Sequence, residues 1–114
     1  MAIQHWSDEI IVVDLSQEPE INHDLENLVE ILSQRDSRYS CDVVIDFSCV
    51  DTITSEGLTE LLKLRKLASQ CGRRLVLCSL APTTEGIFSV TGLDELFELT
   101  DDRFTALATL EMIG

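Results

Sequence analysis

Three short apolar runs, Glu9–Leu15, Asp42–Phe47 and Arg74–Cys78, are rich in Val, Ile and Leu, and each pair is separated by a stretch long enough to hold a helix. Parallel strands cannot be joined by tight turns and need crossover connections, usually helical, which in turn cover the faces of the sheet. The spacing therefore predicts an α/β fold in which the strands flanking each crossover pair in parallel.

The elements follow from periodicity. An earlier strand near Ile3 to Trp6 is expected to pair with Glu9–Leu15 as an antiparallel hairpin. From Asn22 to Leu32, Leu25, Leu28, Val29 and Leu32 recur at helical spacing, with Asn22 as the expected N-cap. Asp42–Phe47 is nearly continuous in apolar residues, which suits a central strand. Leu58, Leu61, Leu62, Leu64, Leu67, Ala68 and Cys71 mark a second helix, closed by Gly72. Pro82 suits a helix start, and Glu85 to Val90 continue it up to Gly92. A brief strand over Leu96 to Leu99 then precedes Asp101-Asp102 and a terminal helix carrying Phe104, Leu107, Ala108 and Leu110. The expected architecture is one domain over residues 1–114, a small mixed sheet of about four to five strands with helices packed largely on one face.

Composition removes several classes of function. At 114 residues and 45% apolar, the chain can bury one core without a metal or a disulfide framework. No apolar run approaches the roughly 20 residues that cross a bilayer, and Met1 to Glu9 lacks a basic start followed by an apolar stretch, so a cytoplasmic protein without membrane insertion is expected. A net charge of −13 repels a phosphate backbone, so nucleic acid is not expected as a partner, and the same charge can steer a basic protein surface towards the chain. Lys63, Arg65 and Lys66 are expected as solvated residues in the second half of a helix. Cys41, Cys49, Cys71 and Cys78 form no C-x-x-C pair and are expected as reduced core or near-core residues. His5 and His23 have no metal-ligand spacing around them, and no glycine-rich phosphate loop or Cys and His pairing is present, so neither cofactor, metal nor enzymatic activity is expected.

The segment with functional content runs from Val43 through Asp51-Thr52-Ile53-Thr54-Ser55-Glu56-Gly57-Leu58 to Leu62. It reads as a buried strand, a polar loop, and a helix that opens with hydroxyl residues followed by glycine. Backbone N–H groups and the positive end of the dipole are exposed at such a start, so a hydroxyl there is well placed to carry a phosphate. The plainer role of Thr54 and Ser55 is helix capping. Glycine is unfavourable in a first turn unless something approaches closely, and Gly57 is expected to keep the helix start open to a partner's surface.

This segment resembles the STAS family, the domain of anti-sigma-factor antagonists and of the cytoplasmic tails of sulphate transporters. The family pattern is an apolar strand, a loop, and Asp-Ser-x-Gly-Leu opening a leucine-rich helix; here Thr54-Ser55-Glu56-Gly57-Leu58 takes that place, with Thr54 where Asp is usual. Gly72 to Cys78 resembles the following strand, and Pro82, Ile87, Phe88, Val90-Thr91-Gly92-Leu93 and Phe97 resemble the next family segment. The resemblance implies a bacterial partner switch in transcription regulation. Ser55 falls on the serine phosphorylated in the antagonists, and the implied partner is an anti-sigma factor that is itself a serine kinase. It would be bound when Ser55 is unmodified and released on phosphorylation. Asp51, Thr54, Glu56 and Gly57 are the implied supporting and partner-facing residues. A phosphate of about −1.5 to −2 charge beside Asp51 and Glu56 would repel and demand desolvation at an interface. The alternative is a constitutive binding subunit of a transporter or sensory complex, indifferent to the state of Ser55.

Asp46 at the end of an apolar strand suggests a phospho-accepting receiver domain. That reading needs a pair of acids after the first strand and a lysine after a late one. Asp14 stands alone after the first strong strand and no lysine follows Lys66, so the receiver reading is set aside.

Overall fold

A computed structural model describes residues 1–17, 20–34 and 41–111. Five strands, β1 (Ala2–His5), β2 (Ile10–Asp14), β3 (Asp42–Asp46), β4 (Leu75–Cys78) and β5 (Glu98–Thr100), lie side by side in that order in one sheet. β1 runs antiparallel to β2, and the remaining neighbours are parallel. The crossovers are α1 (Glu20–Ser33), α2 (Ser55–Gln70) and α3 (Pro82–Thr91), the last followed by a 3-10 turn at Leu93–Glu95, and α4 (Arg103–Glu111) closes the described chain.

Side-chain alternation explains why the central strands have no polar face. Ile11, Val13, Val43, Ile45, Leu75 and Leu77 pack with Leu25 and Leu28 of α1, Leu61 and Leu64 of α2 and Phe88 of α3. The intervening Ile10, Val12, Val44, Val76 and Cys78 pack with Ala106, Leu107 and Leu110 of α4. Three helices thus cover one face and one helix covers the other, so both faces must be apolar. Phe88 and Phe97 meet edge to face, with ring centroids 5.7 Å apart, and join α3 to the segment entering β5.

Several local expectations are corrected. α1 begins two residues before Asn22, which lies in the first turn and turns its amide towards α2 instead of capping. β5 occupies Glu98–Thr100, displaced from Leu96 to Leu99 because the 3-10 turn takes up the chain after Gly92. Cys41 and Cys78 are buried, but Cys49 and Cys71 are exposed. Cys49 sits in the polar loop after β3, and Cys71 is the C-cap of α2, past the turn that packs inward. The ends of the other helices agree with their sequence signals: Gly72 follows α2 at φ 69°, and Pro82 opens α3. Asp102 accepts the N–H of Thr105 at 2.7 Å at the start of α4, a bond that holds its carboxyl below the usual carboxylate range.

Candidate functional site at the start of α2

The loop from β3 to α2 is pinned from below and open above. Ser48 N–H donates to Asp46 Oδ1 at 2.8 Å and Val50 N–H donates to the carbonyl of Phe47 at 2.9 Å, which turns the chain out of the strand. Val50 and Ile53 insert into the core, and the buried Thr84 of α3 donates its hydroxyl to the carbonyl of Asp51 at 3.4 Å. Ser48, Cys49, Asp51, Thr52, Thr54, Ser55 and Glu56 remain exposed.

Thr54 is the N-cap of α2, with φ −90° and ψ 169°. Its hydroxyl accepts the N–H of Gly57 at 3.3 Å and donates to Asn22 Oδ1 of α1, also at 3.3 Å. Asn22 Nδ2 in turn donates to Glu56 Oε2 at 3.4 Å. Asn22 therefore bridges the residues on either side of Ser55. Ser55 is the first helical residue and is exposed, and its carbonyl accepts the hydroxyl of Thr59 at 3.0 Å. Among the described residues, nothing hydrogen-bonds to the Ser55 hydroxyl, so it stands free at the positive end of a helix of 16 residues.

The expectation that Gly57 faces a partner is corrected. The residue is buried, and a Cβ there would lie 2.6 Å from Ile53 Cγ1 and 3.1 Å from Asn22 Oδ1. The missing side chain makes room for close packing of the loop and α1 beneath the helix start; the outward surface belongs to Asp51, Thr54, Ser55 and Glu56.

Next to this loop lies a charged row that periodicity alone did not single out. Asp14, Asp46, Cys78 and Thr100 are register partners across β2 to β5. Arg103 of α4 donates through Nε to Asp46 Oδ2 at 3.0 Å and pairs through Nη2 with Asp14. Burial works against the Arg103 charge, but the hydrogen bonds and charges of Asp46 and Asp14 outweigh it and raise its pKa. Burial, reinforced by the charge of Asp46, pushes the Cys78 thiol up to about 11. Asp46, weighed above as a receiver-type acceptor, is 5% exposed and has both oxygens engaged. Among the described residues, no group of His, Cys, Asp or Glu is disposed to hold a metal ion. One signal could have pointed to Arg103: a cation in a helical first turn opposes the dipole and needs an outside reason to be there.

The STAS domain pattern matches residues 4–106. The chain belongs to the STAS family. BtrV of Bordetella bronchiseptica, whose name places it provisionally among anti-sigma factor antagonists, is 33% identical over 69 residues, a match that spans 60% of this chain and 60% of BtrV. The anti-sigma F factor antagonist of Paenibacillus polymyxa is 24% identical over 107 residues, covering 92% of this chain and 90% of that protein. Among solved structures, the anti-sigma factor antagonist SpoIIAA in its unphosphorylated form superposes with a TM-score of 0.77 at 17% identity, covering 99% of this chain and 97% of SpoIIAA. The mixed five-stranded sheet with four helices is the STAS fold of these relatives. Among the described residues of this STAS chain, no helix is long and apolar enough to cross a membrane.

Proposed function

We propose that this protein is an anti-sigma-factor antagonist of the partner-switching kind, acting in the bacterial cytoplasm by binding a protein and not by catalysis. Ser55 is the phosphoacceptor. In its unmodified state the surface formed by Asp51, Thr54, Ser55 and Glu56 binds an anti-sigma factor that is also a serine kinase, and transfer of a phosphoryl group to Ser55 ends the complex. The observation that carries this reading is the free, exposed hydroxyl of Ser55 at the first position of α2, beside a Thr54 cap whose own hydroxyl is already engaged by Gly57 and Asn22. A phosphate there is tolerated by the helix dipole within the monomer. At an interface, the same group beside the exposed carboxylates of Asp51 and Glu56 repels and resists desolvation, so binding is lost while the fold is kept. Support also comes from relatives that are anti-sigma factor antagonists by name and from SpoIIAA, for which an unphosphorylated form is distinguished.

The test is intact mass and peptide mapping of the protein from its native cell, with and without phosphatase. A removable phosphate on Ser55 supports the switch. Its absence under every growth condition tried favours a constitutive binding subunit of a transporter or sensory complex, with Ser55 reduced to part of a helix start.

A further inference from the structure

One carboxylate serves two elements at the C-terminal ends of the strands. The alternation that sends Ile10, Val12, Val44 and Val76 towards α4 sends Asp14, Asp46 and Cys78 to the same face. Asp46 Oδ1 accepts Ser48 N–H, the first bond of the loop that leads to Ser55. Asp46 Oδ2 accepts Arg103 Nε from the first residue of α4. Val50, Ile53 and the Thr84 bond to Asp51, which also hold this loop, lie with α1 to α3 on the opposite face. Among the described residues, Asp46 is the one hydrogen-bonded link between the loop and α4.

The link is directional in its physics. A nearly buried carboxylate is stable only while its charge is matched, and Arg103 supplies that match through a planar fork that also spans to Asp14. Removing the guanidinium leaves Asp46 with the Ser48 N–H alone, and the carboxylate must turn towards water. Ser48 then loses its acceptor, and the turn that launches the loop loosens.

We propose that Arg103 is a positioning residue for the Ser55 loop, acting through Asp46, so that the start of α4 and the loop are energetically coupled. Its biological meaning rests on Ser55 being the functional residue, but the coupling itself is a property of the unmodified protein without its partner.

The experiment is amide NMR on the full chain, comparing wild type with Arg103→Gln, Arg103→Lys and Leu110→Ala. In Arg103→Gln the Ser48 amide resonance is expected to shift, and exchange of the Ser48 and Val50 amides to accelerate about tenfold. Arg103→Lys, which keeps one charge but loses the fork, falls between, and carries the same test if the glutamine variant does not fold. Leu110→Ala loosens α4 by removing a buried contact while leaving the clamp intact, and is expected to accelerate exchange in α4 alone. Unchanged Ser48 and Val50 amides in the folded Arg103 variants would overturn the proposal, as would equal acceleration in Leu110→Ala. Absence of phosphate on Ser55 in the cell leaves these results untouched, so the two readings fail separately.

Discussion

Gly57 sits against Ile53 so closely that a single added carbon would fall 2.6 Å from the isoleucine Cγ1. Ile53 is itself buried, so it has little room to retreat. Gly57→Ala would gain about 1 kcal/mol of helix propensity and lose about 1–3 kcal/mol to overpacking. The expected outcome is a net loss of up to about 2 kcal/mol in urea denaturation, against the gain that propensity alone forecasts. A more stable Gly57→Ala protein would show that the loop and α1 can shift aside.

Thr54 acts as both acceptor and donor, which ties α2 to α1. Thr54→Ala removes the cap on Gly57 N–H and the bond to Asn22, and is expected to cost about 1 kcal/mol. Asn22→Ala leaves the cap and costs less. Because the two residues share a hydrogen bond, their effects in a double-mutant cycle should not add, and strictly additive urea midpoints would show that the Thr54–Asn22 bond contributes nothing.

At Ser55 stability and binding are expected to part company. Ser55→Asp places a negative charge at the start of α2, where the dipole favours it by about 0.3–1 kcal/mol, so the thermal midpoint should hold or rise slightly. The same variant should weaken binding to the anti-sigma factor, whereas Ser55→Ala should bind and resist the kinase. Isothermal titration against the partner separates these outcomes, and equal affinity of wild type and Ser55→Asp would sink the switch mechanism.

The sheet was legible because its apolar runs are continuous: Val43 to Ile45 and Leu75 to Cys78 leave no choice but burial on both faces. Ser55 and Thr54 were legible because a hydroxyl-rich helix start has a local signature. Gly57 was marked as unusual, but whether it clears space inward or outward depends on Ile53 and Asn22, and Asn22 arrives from another helix. Arg103 was missed because its reason for being in a first turn lies in Asp14 and Asp46, on two strands far away in the chain. Cys49 and Cys71 went wrong because residue type suggests burial, while loop and cap positions decide otherwise.

Cys78 gives the fold a measurable alkaline limit. Its thiol is raised from an ordinary 9.0 to about 11 in the folded chain, first by burial and then by the charge of Asp46. Below pH 9 the thiol is protonated in both states and folding is not opposed. Between pH 9 and 11 the unfolded chain releases this proton and the folded chain retains it, so the unfolded state binds fewer protons and stability falls as pH rises. The loss attributable to this one group is up to about 2–3 kcal/mol at the top of that window. Urea midpoints measured from pH 8 to 11 should therefore fall more steeply for wild type than for Cys78→Ala, which starts lower because it leaves a small cavity but has no thiol to ionise. In the native protein at pH 8, iodoacetamide should modify the exposed Cys49 and Cys71 and spare Cys41 and Cys78. Parallel pH profiles for wild type and Cys78→Ala would mean that the Cys78 environment is wetter than its burial between β3, β5 and α4 implies.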